Sequence, residues 1–98
     1  MTRLDARLAA LAAAGETLTY GALARELGLR MADLTAALEA TMEADTAAGA
    51  PLRAALCEAR LTPGLPAPGF FAKAAALGHA IGDPAGFVAD HRARLSRA

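Results

Sequence analysis

The chain has little cysteine, few aromatic residues and no net charge. These properties argue in turn against an internal disulfide, a large aromatic core and long-range attraction to a polyanion. A single cysteine, Cys57, cannot form an internal disulfide, which is typical of proteins from a reducing cytoplasm. One tyrosine and three phenylalanines are the only aromatic residues, so we expect a thin core. Ten Lys and Arg residues balance ten Asp and Glu residues, so the overall charge attracts neither nucleic acid nor an anionic membrane.

The sequence also lacks a long hydrophobic run. Its N-terminal segment opens with charged residues, and the leucines at positions 4, 8 and 11 share one helical face, which predicts an amphipathic helix and not a signal peptide. No stretch reaches the ~18 apolar residues of a membrane span. We therefore expect a soluble, cytoplasmic protein that binds no membrane. Because most domains have about 100–150 residues, we expect one domain over residues 1–98.

The stretch TYGALARELGLRMADLTAAL, residues 19–38, predicts two helices joined by a tight turn. Thr19 is a good N-cap for the first helix, and Gly28 is the type of residue that ends one. The second helix is longer, carries apolar residues at positions 31, 34, 38 and 42, and ends at Gly49. This order matches a helix-turn-helix over about 19–48, although the αα-hairpin of a helix bundle has the same spacing.

The remaining segments complete a winged-helix order. After Pro51 the apolar period changes from 3.6 to 2 over residues 52–60, which predicts a strand. The other predicted elements are a helix over 3–14, a strand and wing over about 51–69, and helices over about 70–77 and 84–96. We therefore predict a mostly α fold with minor β content, namely a winged helix-turn-helix with a short β-hairpin wing and two additional C-terminal helices.

Two resemblances rest on these residues. TYGALARELGL, followed by a helix and a strand after a small residue and proline, resembles the DNA-binding domain of the O6-alkylguanine DNA alkyltransferase family, which has TYGE-A---G and later PCHRV. Nearly the whole chain, with GAPLRAALCEARLTPGLPAPGFF as the matching text, is similar to small uncharacterised bacterial winged-helix modules of the pattern YGELA…G.PLLTALVVNK.TGLPGEGF. Both resemblances imply a winged-helix fold. The bacterial origin agrees with nine arginines against one lysine, as in GC-rich genomes.

The alkyltransferase resemblance makes Cys57 a candidate nucleophile. Its context is Leu-Cys-Glu-Ala-Arg and not Pro-Cys-His-Arg, and it is displaced by one residue, which in a strand turns the side chain to the other face. No histidine follows that could activate a thiolate. We therefore interpret Cys57 as a small buried thiol and predict no catalytic residue.

The two histidines predict no ligand site. His91 lies on the apolar face of the last predicted helix, where we expect a packed side chain bonded to a backbone group. His79 follows Gly78 at a helix end. Two histidines and one cysteine at unrelated spacings form no metal motif, so we predict neither a metal nor a cofactor.

Our first functional hypothesis is an accessory, non-enzymatic nucleic-acid-binding module, because a helix-turn-helix places its second helix in the major groove of double-stranded DNA. The second helix, residues 31–48, carries four acidic residues and no Lys or Arg, which opposes this hypothesis. The predicted phosphate contacts therefore lie around it: Arg25, Arg30, Arg53 and Arg60.

The alternative hypothesis is a protein–protein interaction module on the same scaffold, as a monomer or weak homodimer. It would use the acidic face of the second helix, or the proline-bordered loop 63–71 with Leu65 and Phe71 as an exposed apolar patch. An alkyltransferase-like protein is a third and more distant hypothesis.

Overall fold

The computed structural model describes residues 2–97, which form five α-helices and one two-stranded parallel sheet. In chain order the elements are α1 (Arg3–Ala14), β1 (Leu18–Thr19), α2 (Tyr20–Leu27), α3 (Met31–Ala48), a 3₁₀ turn (Arg53–Leu56), β2 (Cys57–Glu58), α4 (Pro68–Ala76) and α5 (Pro84–Arg97). The mostly helical prediction is therefore confirmed.

The two helices of the predicted helix-turn-helix begin and end where their capping residues lie. The Thr19 hydroxyl accepts a hydrogen bond from the Ala22 amide at 3.2 Å, which satisfies one free N–H at the start of α2. Gly28 ends α2 with φ at +66°, a left-handed conformation that glycine adopts without steric cost. Residues 28–30 then connect α2 directly to α3.

The predicted strand over residues 52–60 is wrong in its first half. Residues 53–56 form a 3₁₀ turn, and only Cys57 and Glu58 are extended, pairing in parallel with β1. The amides at the start of this segment bond side chains instead of a neighbouring strand: Leu52 donates to His91 Nδ1 at 2.9 Å, and Arg53 donates to Asp45 Oδ2 at 3.0 Å. The alanines at positions 54 and 55 are small enough for this turn. The alternating apolar pattern of residues 52–60 does not distinguish such a turn from a strand.

The segment predicted as a β-hairpin wing is a tight turn. One isolated antiparallel bridge joins Ala59 to Thr62, and the Ala59 amide donates to the Leu65 carbonyl at 2.8 Å. The turn over residues 59–65 therefore projects from the end of β2 without forming a second ladder.

Both predicted C-terminal helices are present. α4 begins at Pro68, two residues before the predicted start, because proline suits the first turn of a helix. α5 begins at Pro84 after Asp83, whose carboxylate accepts a hydrogen bond from the Gly86 amide at 3.0 Å. Across residues 2–97, no helix combines the length and the apolar composition needed to cross a membrane.

The core lies around the 3₁₀ turn, which contacts α1, α3 and α5. Each fully buried leucine contributes about 1.5–3 kcal/mol relative to an exposed one. The largest side chains with less than 2% exposure include Leu8, Leu11, Leu23, Leu34, Leu52, Leu56 and Val88. Because the 3₁₀ turn lies at the centre of the core, the α2–α3 pair and the 59–65 turn pack on the same core.

Candidate nucleic-acid interface and neighbouring groove

Arg25 and Arg30 lie at the connection between α2 and α3. Arg25 is exposed in the last turn of α2, and Arg30 is the N-cap residue of α3. Arg30 Nε lies 3.3 Å from Asp33 Oδ2, yet the Arg30 side chain remains 88% exposed. Such a surface pair contributes only about 0–1 kcal/mol, so Arg30 can exchange Asp33 for another anion.

Arg53 lies apart from this surface. Its Nε contacts Asp45 Oδ1 at 3.0 Å, and its Nη1 contacts Asp5 Oδ1 at 2.9 Å. The hydrogen bond to Asp45 raises the pKa of Arg53, with a further contribution from Asp5. This guanidinium therefore joins α1, α3 and the 3₁₀ turn. Because it already pairs with two carboxylates, it is poorly placed to bind a phosphate.

Arg60 is exposed in the turn that follows β2, next to an apolar residue that sequence reasoning missed. Leu61 is 92% exposed, the highest value among the large hydrophobic residues that the structure describes. The turn is held from the opposite side by Arg92, whose Nη1 donates to the Gly64 carbonyl at 2.8 Å. The sequence gives no strong signal for this exposed position, because a leucine next to Thr62-Pro63-Gly64 can equally be buried.

The predicted interaction loop is only partly exposed. Leu65 and Phe71 are both half-buried. The Phe71 ring packs edge to face on Phe70, with 5.1 Å between ring centroids, and it contacts the core. Phe71 therefore covers part of the core and Leu65 is only half exposed, while the fully exposed large hydrophobic residue near this loop is Leu61.

The acidic residues of α3 are mostly paired within the molecule. Asp33 contacts Arg30, Glu43 accepts from Lys73 at 2.7 Å, and Asp45 is buried against Arg53. Among residues 2–97, Glu39 is the one acidic residue of α3 outside any ion pair. The repulsion that this helix offers to a polyanion is thus smaller than four acidic residues suggest.

A groove of about 240 Å³ lies between α3 and the start of α4. Its lining is mostly apolar, with Met31, Leu38 and Met42 on one side and Phe70 on the other. Glu39 also lines it. Met31 is 49% exposed, so apolar surface remains open to solvent here. The sequence could not show this groove, because its two sides come from distant parts of the chain.

Cys57 is fully buried, as expected for a structural thiol. Burial raises the pKa of the Cys57 thiol to about 12, although Arg92 acts in the opposite direction. A nucleophilic cysteine requires a lowered pKa and access to its substrate, and this thiol has neither.

His91 is packed, as expected, and His79 is half-buried just after the end of α4. His91 Nδ1 accepts the Leu52 amide, and His79 Nε2 lies 2.8 Å from Thr46 Oγ1. Burial lowers the pKa of His91, and Arg94 and His79 lower it further. Within the described part of the chain, no group of three His, Cys, Asp or Glu side chains is placed to hold a metal ion.

Comparison of this chain with protein-family models, with curated proteins and with solved structures finds no match. Function is therefore inferred from the residues and geometry described above.

Proposed function

We propose that this chain is an accessory nucleic-acid-binding module that binds double-stranded DNA without catalysing a reaction. The observation that carries the proposal is the junction of α2 and α3, where exposed Arg25 lies in the last turn of α2 and exposed Arg30 ends the three-residue connection. In DNA-binding helix-turn-helix proteins, the first residues of the second helix contact base edges while neighbouring cations contact phosphates. Both kinds of contact are available at this junction.

The outward face at the start of α3 supports the same proposal. Ala32, Thr35 and Ala36 are exposed there, and small or hydroxyl side chains allow the backbone to approach bases closely. Alanine and the threonine methyl group suit contact with the thymine methyl in the major groove. Glu39 and Glu43 lie about one and two helical turns beyond Thr35 on the same helical face.

The scaffold that we propose is a winged helix with a reduced wing. Its support is the order of elements and the pairing of β1 with β2 at the base of the 59–65 turn. Arg60 at this turn supplies a third phosphate contact. Arg53 is not among the phosphate contacts that we propose, because it forms ion pairs with Asp5 and Asp45.

Three exposed arginines imply weak and salt-sensitive binding. Each neutralised phosphate contributes about −0.9 to the slope of log K against log salt concentration, so we expect a slope of roughly −3. Fluorescence anisotropy of a labelled duplex and of the same sequence as a single strand, titrated at low and moderate salt, measures this slope directly. Absence of duplex binding at low salt would contradict the proposal.

The matched variants are Arg30→Ala and Arg94→Ala. Arg30→Ala removes one phosphate contact and should reduce the slope by about one unit for every duplex sequence. Arg94 lies on α5, which packs on α1 and the 3₁₀ turn, so its removal should leave the slope unchanged. Equal slopes for Arg30→Ala and the unmodified protein would remove Arg30 from the interface.

A second candidate function is protein–protein interaction, which the apolar groove between α3 and α4 favours. An open groove with Met31 at its edge costs free energy in water unless a partner covers it. The buried thiol gives no support to the third hypothesis, an alkyltransferase-like activity.

A further inference from the structure

We propose that the groove between α3 and α4 receives the Arg60–Leu61 tip of a second copy of this chain, so that the protein associates head to tail. The inferred contact shares Arg60 and Thr35 with the proposed DNA interface, but it involves neither Arg25 nor Arg30.

The tip is an apolar side chain that its own molecule leaves in solvent. Leu61 is 92% exposed, so it does not fill the groove of the molecule that carries it. The backbone around it is held by hydrogen bonds from the Ala59 amide to the Leu65 carbonyl at 2.8 Å and from the Leu65 amide to the Thr62 carbonyl at 3.0 Å. A leucine presented by an ordered turn loses little conformational freedom on binding.

The groove has the size and lining that a leucine requires. Its volume of about 240 Å³ is several times the ~30 Å³ that one water molecule occupies in the liquid, which leaves room for a four-carbon side chain. Met31 and Met42 line it, and the flexible thioether side chain adapts to the shape of an inserted group. Phe70 closes the opposite side.

The charges of Arg60 on the tip and Glu39 in the groove also favour binding of the tip of a second copy. Arg60 precedes Leu61 in the turn, and neither Arg60 nor Glu39 forms an ion pair within residues 2–97. Glu39 lines the groove, so a leucine entering it from another copy would bring Arg60 close to this carboxylate. Complementary charge at the edge of an apolar contact fixes its orientation.

The contact is heterologous, because the tip and the groove are different surfaces of one molecule. It is also small, since a single leucine covers far less than the ~1,200 Å² of a stable interface. We therefore expect weak association, with a dissociation constant on the order of 1 mM.

Sedimentation equilibrium of the full chain over a range reaching several millimolar, combined with amide chemical shifts followed over the same range, tests the proposal. The unmodified protein should show a rising mean mass and concentration-dependent shifts at the tip and at the groove. Leu61→Asp should abolish both signals, and folding is preserved because the side chain is exposed. The control is Leu29→Asp, which changes another exposed leucine outside the groove lining and should leave association unaltered.

Mixing variants distinguishes this contact from any other dimer. Met31→Asp alters the groove and keeps the tip, while Leu61→Asp alters the tip and keeps the groove, so each alone should be monomeric and an equimolar mixture should form a heterodimer. Arg60→Glu and Glu39→Arg should each weaken association, and mixing these two charge-reversed chains should restore it. A monomeric unmodified protein, or mixtures that stay monomeric, would overturn the proposal whatever the DNA titrations show.

Discussion

Asp45 and Asp33 are both acidic residues of α3, but their surroundings differ. The Asp45 side chain is 8% exposed and accepts hydrogen bonds from the Arg53 amide and guanidinium, whereas Asp33 is 52% exposed beside Arg30. We predict that Asp45→Asn lowers the free energy of unfolding by about 1–3 kcal/mol, because the half-buried Arg53 guanidinium then loses one of its two charged partners and keeps only Asp5. Asp33→Asn should cost less than about 1 kcal/mol. Urea denaturation of both variants, with comparable m-values, measures the difference, and equal losses would contradict it.

His91 carries a prediction about pH. Its pKa is lowered in the folded protein, mainly by burial, while a histidine in the unfolded chain titrates near 6.5. As the pH falls below about 6.5, the unfolded chain binds a proton that the folded protein does not, so the free energy of unfolding decreases. This contribution is complete above the unfolded pKa and is lost as the pH falls toward the folded pKa.

Replacing the imidazole by an uncharged hydrogen-bond acceptor tests whether His91 causes this pH dependence of stability. In His91→Asn the amide oxygen can still accept the Leu52 N–H, so the fold is retained while the titrating group is removed. We expect a smaller difference in unfolding free energy between pH 7 and pH 5 than in the unmodified protein. Urea titrations at both pH values provide the comparison. The same difference in both proteins would assign the pH dependence to another group.

The environment of some of these residues could be predicted from the sequence, and that of others could not. The packed state of His91 and Cys57 follows from apolar neighbours close in the chain, so it could be predicted. The ion pairs of Arg53 could not, because Asp5 lies 48 positions away and only the folded chain brings the two together. The set of phosphate contacts predicted from the sequence therefore includes one arginine, Arg53, that forms ion pairs within the protein.

At the scale of elements, helices could be predicted best because their ends depend on local chemistry. Thr19, Gly28 and Gly49 cap α2 and α3 at the expected positions. The 3₁₀ turn of residues 53–56 could not be predicted, because its hydrogen bonds go to side chains on α3 and α5 and its alanines suit either periodicity. The fold is thus predictable where local signals decide and not where partners from distant elements do.

Two glycines, one inside α2 and one at its C-terminal end, should respond oppositely to the same substitution. Gly21 lies inside α2 with open space where a methyl group would lie, and Gly28 ends the helix at a φ of +66°. Gly21→Ala should raise the free energy of unfolding by about 0.5–1 kcal/mol, because alanine restricts the unfolded chain. Gly28→Ala should lower it by about 1 kcal/mol, because an L-residue is strained there. Thermal and urea denaturation provide the comparison, and a shift in the same direction for both would contradict the assigned helix boundary.

At the scale of the whole molecule, the candidate sites combine segments that the sequence separates. The α2–α3 pair is continuous in sequence, so its exposed Arg25 and Arg30 could be proposed from the chain alone. The groove lies between α3 and Phe70, and the turn that carries Leu61 accepts a hydrogen bond from Arg92 of α5 at Gly64. Neither feature has a local signal strong enough to define it, which is why the sequence points to Leu65 and Phe71 in place of Leu61.

Arg92, like its neighbour His91, links α5 to the middle of the chain. Its Nε donates to the Ala55 carbonyl at 2.7 Å and its Nη1 to the Gly64 carbonyl at 2.8 Å. Two effects oppose each other when it is replaced by methionine. Two charge-assisted bonds are lost, but burial already lowers the pKa of Arg92, so removing the charge also removes a desolvation cost.

We expect the lost bonds to dominate, with Arg92→Met lowering the free energy of unfolding by about 1–2 kcal/mol. The control is Arg94→Met on the same helix, which removes an exposed pair with Asp90 and should change stability by less than about 0.5 kcal/mol. Amide exchange gives the localised readout: the Ala59 and Leu65 amides should exchange faster in Arg92→Met, because the turn loses its contact with α5. Unchanged exchange at these two amides would mean that the turn holds its own shape, and that the exposed position of Leu61 does not depend on the C-terminal helix.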